Sequence, residues 1–178
     1  MARLYFSGFA CGGAVIADFN GDGFQDLFFT QGAEDNQLFI QEGATMKFRN
    51  ATENSGVSGE GLWAAGAVAV DIDGDNDVDL LVCNYDSRPS LFINDGTGRF
   101  VDRAEECGLV QQDAFLMPTV CDYDQDGDLD VYLLANQYYR EGGRPPTPPF
   151  ERGPDGKPRV KEEFSRYYKL KALPSGGF

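Results

Sequence analysis

Three stretches of this chain lie over one another without a gap: AVIADFNGDGFQDLFFTQ from Ala14, AVAVDIDGDNDVDLLVCN from Ala67 and PTVCDYDQDGDLDVYLLA from Pro118. Their leading aspartates, Asp18, Asp71 and Asp122, are 53 and 51 residues apart. The likeness runs beyond these stretches. NQLFIQEG at 36–43 matches PSLFINDG at 89–96, and Leu38 and Leu91 each fall 12 residues after the last aspartate of the preceding acidic run. Phe48 and Phe100 each precede a glycine, Gly56 and Gly108, by eight positions. This fixed period restricts the fold more than any other feature. One such unit offers apolar faces too narrow to be buried alone, so the units must stack on one another.

Within a unit the pattern is that of short strands. AVIAD and AVAVD are runs of small and β-branched residues, DLFFT, DLLVC and DVYLL follow the acidic run, and LFI follows a polar turn. INDGTGRF joins a strand to the start of the next through Asp-Gly, a strong hairpin signal. A Phe-led segment completes about four strands per unit, and helical periodicity is missing through residue 135. The predicted class is therefore all-β, with three antiparallel units at about 10–62, 63–114 and an incomplete 115–139. The third unit lacks an LFIN hairpin at the repeat spacing. Residues 140–178 open instead with a Pro/Gly-rich stretch, REGGRPPTPPFERGPDGKPR, read as extended or mobile. VKEEFSRYYKL at 160–170 then places Val160, Phe164 and Tyr167 or Tyr168 on one face of a short amphipathic helix.

Strands usually reverse through two to five turn residues. Here they reverse through nine positions carrying three carboxylates in 18–26, five in 71–79 and five in 122–130. Calcium is a hard cation that takes six to eight oxygens. A nine-residue loop meets that demand with side-chain oxygens at positions 1, 3, 5 and 9 and a backbone carbonyl at 7. The first loop offers Asp18, Asn20, Asp22 and Asp26 with the carbonyl of Phe24. The second offers Asp71, Asp73, Asp75 and Asp79 with the carbonyl of Asp77, and the third Asp122, Asp124, Asp126 and Asp130 with the carbonyl of Asp128. Position 6 is Gly23, Asn76 or Gly127, residue types that accept positive φ, as a tightly curled loop requires. Two carboxylates about 4 Å apart repel by ~4 kcal/mol at an effective dielectric of 20, so a divalent ion is expected among them. Up to three Ca²⁺ ions follow. Mg²⁺, which demands a stricter octahedron and keeps its waters, is the second choice. An EF-hand is ruled out because position 12 is Phe29, Val82 or Leu133 instead of an acid, and the flanks are strands.

Composition narrows the partners. The net charge of −14 argues against nucleic acid, whose phosphates such a surface repels. With no histidine, the commonest general base and transition-metal ligand is missing. Cys11, Cys83, Cys107 and Cys121 show no CxxC spacing, and the even count suits either two disulfides or buried thiols. No apolar run is long enough to span a bilayer. MARLYFSGFACGG has the outline of a secretion signal. Its apolar part is short and broken by Ser7 and Gly8, and ACGGAVIAD aligns with WAAGAVAVD, so Cys11 reads better as the approach to a strand.

On the motif D-x-[DN]-x-D-[GN]-x-x-D, followed by an apolar strand and L-F-x-N-x-G-x-G-x-F, residues 10–139 resemble the FG-GAP/VCBS calcium-binding repeats of integrin-α-like β-propellers. LFINDGTGRFVDRAEECGL is also similar to the ASPIC/UnbV-associated group, which includes cartilage acidic protein. Gln25, Gln125 at position 4 and the missing third hairpin depart from the pattern. The resemblance implies blades of a propeller of about seven, with calcium between the first two strands of each blade. It also implies an extracellular, secreted or surface setting. Three blades do not close a ring, so the remaining blades are expected in a longer chain or an assembly. The functional expectation is a calcium-stapled structural, adhesion or ligand-binding scaffold with a protein or glycan partner, and not an enzyme. The alternative is a part of a secreted polysaccharide-acting enzyme, for which Arg88 and Arg103 are the basic residues in sequence reach of the acids. Trp63, just ahead of a strand, reads as a blade-packing residue, and Asn50 heads an NAT glycosylation sequon.

Overall fold

The structure is a computed structural model. It describes residues 12–32, 34–135, 150–154 and 158–162. Residues 1–11 of the signal-like opening, Cys11 included, lie outside them. The chain divides into two compact units, residues 1–139 and 140–178.

The first unit is built of antiparallel strands in chain order. One blade pairs β1 (Ala14–Ala17), β2 (Asp26–Gln31), β3 (Glu34–Gln41) and β4 (Phe48–Asn50). The next repeats the plan with β5 (Trp63–Val70), β6 (Asp79–Ser87), β7 (Ser90–Asn94) and β8 (Phe100–Asp102). A third hairpin, β9 (Asp113–Cys121) and β10 (Asp130–Ala135), joins the second sheet where Tyr85 and Ser87 at the far end of β6 pair with Ala114 and Asp113. Each acidic run closes the first hairpin of its repeat in the same register: Ala17 faces Asp26, Val70 faces Asp79 and Cys121 faces Asp130.

The period-2 alternation of a strand explains the packing. Leu80, Val82 and Phe92 point to one face of the second blade, into a cluster with Val15, Phe28, Leu38 and Ile40 of the first. Leu81 and Leu91 point to the other face, with Val68, Ile93 and Leu133 of β10. A strand buried on both faces needs an unbroken apolar run, and DLLVC supplies it. Leu80, Leu81 and Val82 have no exposed surface, and each contributes roughly 1.5–3 kcal/mol by burial. Blades are also tied through polar groups. The Gly32–Ala64 pair exchanges two backbone bonds of 3.0 and 3.1 Å, and the Thr30 hydroxyl donates to the Ala65 carbonyl. Gly66 sits where β5 and β9 approach, and a Cβ there would lie 2.5 Å from the Leu116 carbonyl oxygen. Trp63 lies against Gly32 at the junction between the first two blades, in keeping with a packing role.

Three differences from the sequence reading have simple causes. A helical turn, α1 (Thr52–Ser55), and a 3-10 turn at Gly43–Thr45 interrupt what was read as strand and loop. Elements of one turn are too short to carry a 3.6-residue period. Within the Pro/Gly-rich stretch read as extended or mobile, β11 (Phe150–Arg152) pairs antiparallel with β12 (Pro158–Val160). An Asp-Gly lies between them, and Pro158 occupies the first position of its strand, where a missing N–H is tolerated. The expected helix over 160–170 would start on Val160, which is the last residue of β12. Phe164, Tyr167 and Tyr168 lie outside the described residues.

Candidate metal centres

The three acidic loops share one backbone device. The carboxylate at position 1 reaches across the loop to the amide of position 6. Asp18 Oδ2 accepts from Gly23 N at 2.8 Å, Asp71 Oδ2 from Asn76 N at 3.1 Å and Asp122 Oδ2 from Gly127 N at 3.2 Å. Position 6 takes positive φ in every loop: 85° at Gly23, 73° at Asn76 and 99° at Gly127. Position 4 does the same at Gly21 (69°), Gly74 (80°) and Gln125 (63°). The sequence shows Gln125 only as a departure from the motif, because a left-handed backbone leaves no trace in the residue type when a non-glycine occupies it. Such a residue costs about 1–2 kcal/mol, partly offset by the entropy that glycine loses on folding. Gln125→Gly is therefore expected to stabilise the protein by about 0.5–1 kcal/mol, measured by denaturant titration.

Position 9 anchors the loop to the sheet. Asp26 and Asp79 are fully buried. Asp79 Oδ2 accepts from Ile72 N at 2.9 Å and its Oδ1 from Asn94 N, at the end of β7, at 2.8 Å. Asp26 repeats this with Phe19 N at 2.9 Å and Gln41 N at 2.8 Å. One carboxylate thus joins the loop start to the third strand. Among the described residues Asp130 has only the loop half, a bond from Tyr123 N at 2.7 Å, and it is exposed. In the sequence, the residue 15 places on is Gln41 after Asp26 and Asn94 after Asp79.

Carboxylate oxygens of positions 1, 3 and 9 converge in two loops. Those of Asp71, Asp73 and Asp79 lie within 4.8 Å of one another, as do those of Asp122, Asp124 and Asp130. The first loop has Asn20 at position 3, so its corresponding donors are two carboxylates, Asp18 and Asp26, and an amide. Position 5 also braces the loop backbone. Asp22, Asp75 and Asp126 each accept through Oδ1 from the amide of position 7: Phe24 N at 2.9 Å, Asp77 N at 2.8 Å and Asp128 N at 3.0 Å. These bonds fix the backbone whose position-7 carbonyls the sequence nominated. Arg88 is held by Asp102 at 3.0 Å and Glu105 at 3.3 Å, neither of them a loop residue. Cys83, Cys107 and Cys121 are free thiols, and burial pushes Cys83 up to about 12.

The electrostatics are those of a site short of positive charge. Burial raises Asp79 above the usual carboxylate range, the amides of Asn94 and Ile72 oppose that rise, and the charges of Asp73 and Asp75 add to it. Asp26 is raised in the same way by burial, against the amides of Gln41 and Phe19. Asp77 is raised by desolvation and then by its neighbours Asp75, Asp71, Asp73 and Asp95. The all-oxygen donor set fits a hard divalent cation. A raised folded-state pKa means that ionised Asp26 and Asp79 oppose folding. Their contribution is most favourable below about 3.8 and is lost as pH rises through the raised value. A cation held by the same oxygens has the opposite dependence. The gap in Tm between metal-loaded and chelated protein is therefore expected to narrow as pH falls from neutral towards about 4. A gap that widens on acidification would contradict this.

Antiparallel four-stranded blades packed face to face, each with an acidic loop between its first two strands, define a propeller-type repeat protein. The model of the FG-GAP-like repeat matches residues 18–82 and 71–133. The chain belongs to the FG-GAP-like repeat family. No curated protein matched it.

Proposed function

We propose that the loops at 18–26, 71–79 and 122–130 bind Ca²⁺, and that the bound ions staple adjacent strands of a non-catalytic scaffold. The observation that carries this reading is the convergence of Asp71, Asp73 and the fully buried Asp79 within 4.8 Å. Such a cluster is costly unless a divalent ion balances it. The loop at 71–79 binds first, having four side-chain carboxylates and the buried anchor. The first loop substitutes Asn20, and the third lies open to solvent with Asp130 exposed. Mg²⁺ is the weaker ligand for a loop of this length and flexibility.

The setting proposed is extracellular, secreted or at a cell surface. Modules there stay occupied at affinities as weak as ~10⁻⁴–10⁻³ M because calcium is abundant. No described helix is long and apolar enough to cross a membrane. The blades serve as a platform for a protein or glycan partner, and the acids of the loops are committed to metal and loop geometry. The test is thermal unfolding during calcium titration, with EDTA as control. A rise in Tm that saturates with calcium and is much smaller with magnesium is expected, whereas identical curves in calcium and EDTA would sink the proposal.

A further inference from the structure

The loops at 18–26 and 71–79 belong to different blades, yet one buried side chain joins them. Asn94, at the end of β7, donates through its backbone N to Asp79 Oδ1 at 2.8 Å. Its side-chain Nδ2 donates to the Phe19 carbonyl at 2.8 Å and to the Val78 carbonyl at 3.0 Å, while its Oδ1 accepts from Gly98 N at 3.2 Å. Two carbonyls on one side and an N–H on the other fix which way this amide points, since the reverse orientation would set oxygen against oxygen. Phe19 in turn donates through its N to Asp26 Oδ2 at 2.9 Å, and its ring meets that of Phe100 edge to face at 5.8 Å. The path from one position-9 carboxylate to the other is thus continuous: Asp26, Phe19, Asn94, Asp79.

A second contact runs beside this path. A Cβ on Gly96, in the turn between β7 and β8, would stand 2.5 Å from Asp77 Oδ2 of the second loop. One on Gly21 of the first loop would stand 3.6 Å from the Gly96 carbonyl oxygen. One on Gly98 would lie 3.7 Å from the Phe19 carbonyl oxygen and 3.8 Å from Asn20 Cβ. The turn that follows Asn94 therefore abuts both loops.

We propose that the first two loops bind their ions cooperatively, with Asn94 as the residue that couples them. This rests on the calcium reading of those loops. Phe19 stands between Asp18 and Asn20, so its carbonyl is fixed when those two side chains hold an ion. A fixed carbonyl holds the Asn94 amide in place, and with it the N–H that orients Asp79 in the second loop. Ordering of Asn94 is needed once and serves both loops, so the second ion binds more tightly than it would alone. Each ion helps the other by the same factor. Repulsion between the two ions opposes the effect and is screened beyond about 8 Å at physiological ionic strength.

Calorimetric calcium titration at that ionic strength measures the coupling, on the full chain carrying Asp124→Ala to empty the third loop. Adding Asn20→Ala leaves the second loop alone to bind, and adding Asp73→Ala instead leaves the first. The overall constant for filling both loops is expected to exceed the product of the two single-loop constants by about 5-fold or more. With Asn94→Ala in all three backgrounds that ratio should fall to about one, whereas a merely structural role would weaken binding and leave the ratio unchanged. Asn94→Asp keeps the backbone N–H and an acceptor for Gly98 N but lacks the amide donor, and it should also lose the coupling. Two ions bound with a ratio near one while Asn94 is intact would overturn the proposal and leave the calcium reading standing. A ratio that survives in both Asn94 variants, with circular dichroism showing intact strands, would overturn the role given to Asn94. No binding of calcium at all would overturn the calcium reading together with the coupling.

Discussion

Asp79→Ala is expected to destabilise the chelated protein by about 2–4 kcal/mol, whereas Asp130→Ala costs less than about 1 kcal/mol. The two residues hold the same place in their repeats, so the difference comes from surroundings alone. Asp79 is fully buried and accepts from two backbone amides, Ile72 N and Asn94 N. Alanine leaves both amides without an acceptor, at about 1–3 kcal/mol each, reduced because a buried negative charge is also removed. Asp130 is exposed and accepts from Tyr123 N, which water can serve in its place. Urea unfolding in EDTA at neutral pH measures both. Equal costs would mean that position 9 does not act as an anchor between the loop and the third strand. Asp26→Ala should follow Asp79→Ala, since its two bonds and its burial are the same.

Calcium removal should have the largest effect of all. At free calcium near 100 times Kd, each site stabilises the fold by about 2.7 kcal/mol, so two or three filled sites together give roughly 5–8 kcal/mol. Position 3 isolates this contribution from the structural one. Asp73 is exposed, and its carboxylate joins the cluster of Asp71 and Asp79. Asp73→Ala should leave stability in EDTA unchanged or slightly raised, because a like charge has gone. In calcium it should lose one site's increment. Asp73→Ala and Asp79→Ala therefore separate the ion binding proposed for the loop from its anchoring to the sheet. If Asp73→Ala shifted Tm equally with and without calcium, the cluster would have no metal to hold.

The repeat, the strands and the place of the acidic loops were legible because each depends on local pattern: alternation, Asp-Gly turns and a fixed spacing. Position 6 was legible too, since Gly23, Asn76 and Gly127 are residues that tolerate positive φ. Gln125 shows the limit, because its left-handed backbone is imposed by the loop's hydrogen bonds and not by its own preference. Position 9 shows another. Nothing local to Asp79 indicates that Asn94, 15 residues away, will donate to it, although the recurrence of that spacing after Asp26 was available as a signal. Position 5 was nominated as a ligand by spacing alone, and its hydrogen bond to position 7 emerges only in three dimensions. The β11–β12 hairpin was hidden by prolines, whose frequency in loops outweighed their tolerance at strand ends. The packing of Phe19, position 2 of its loop, on Phe100 of the next blade went unnoticed because it is visible only once the blades are stacked.

Isothermal titration calorimetry of the calcium-stripped chain measures the central claim, that the oxygen clusters hold divalent ions between paired strands. Binding of one ion per acidic loop is expected, tightest in the loop of Asp71, Asp73 and Asp79 and lost there alone in Asp73→Ala. No heat of binding up to millimolar calcium, from a chain whose circular dichroism shows intact β structure, would contradict it.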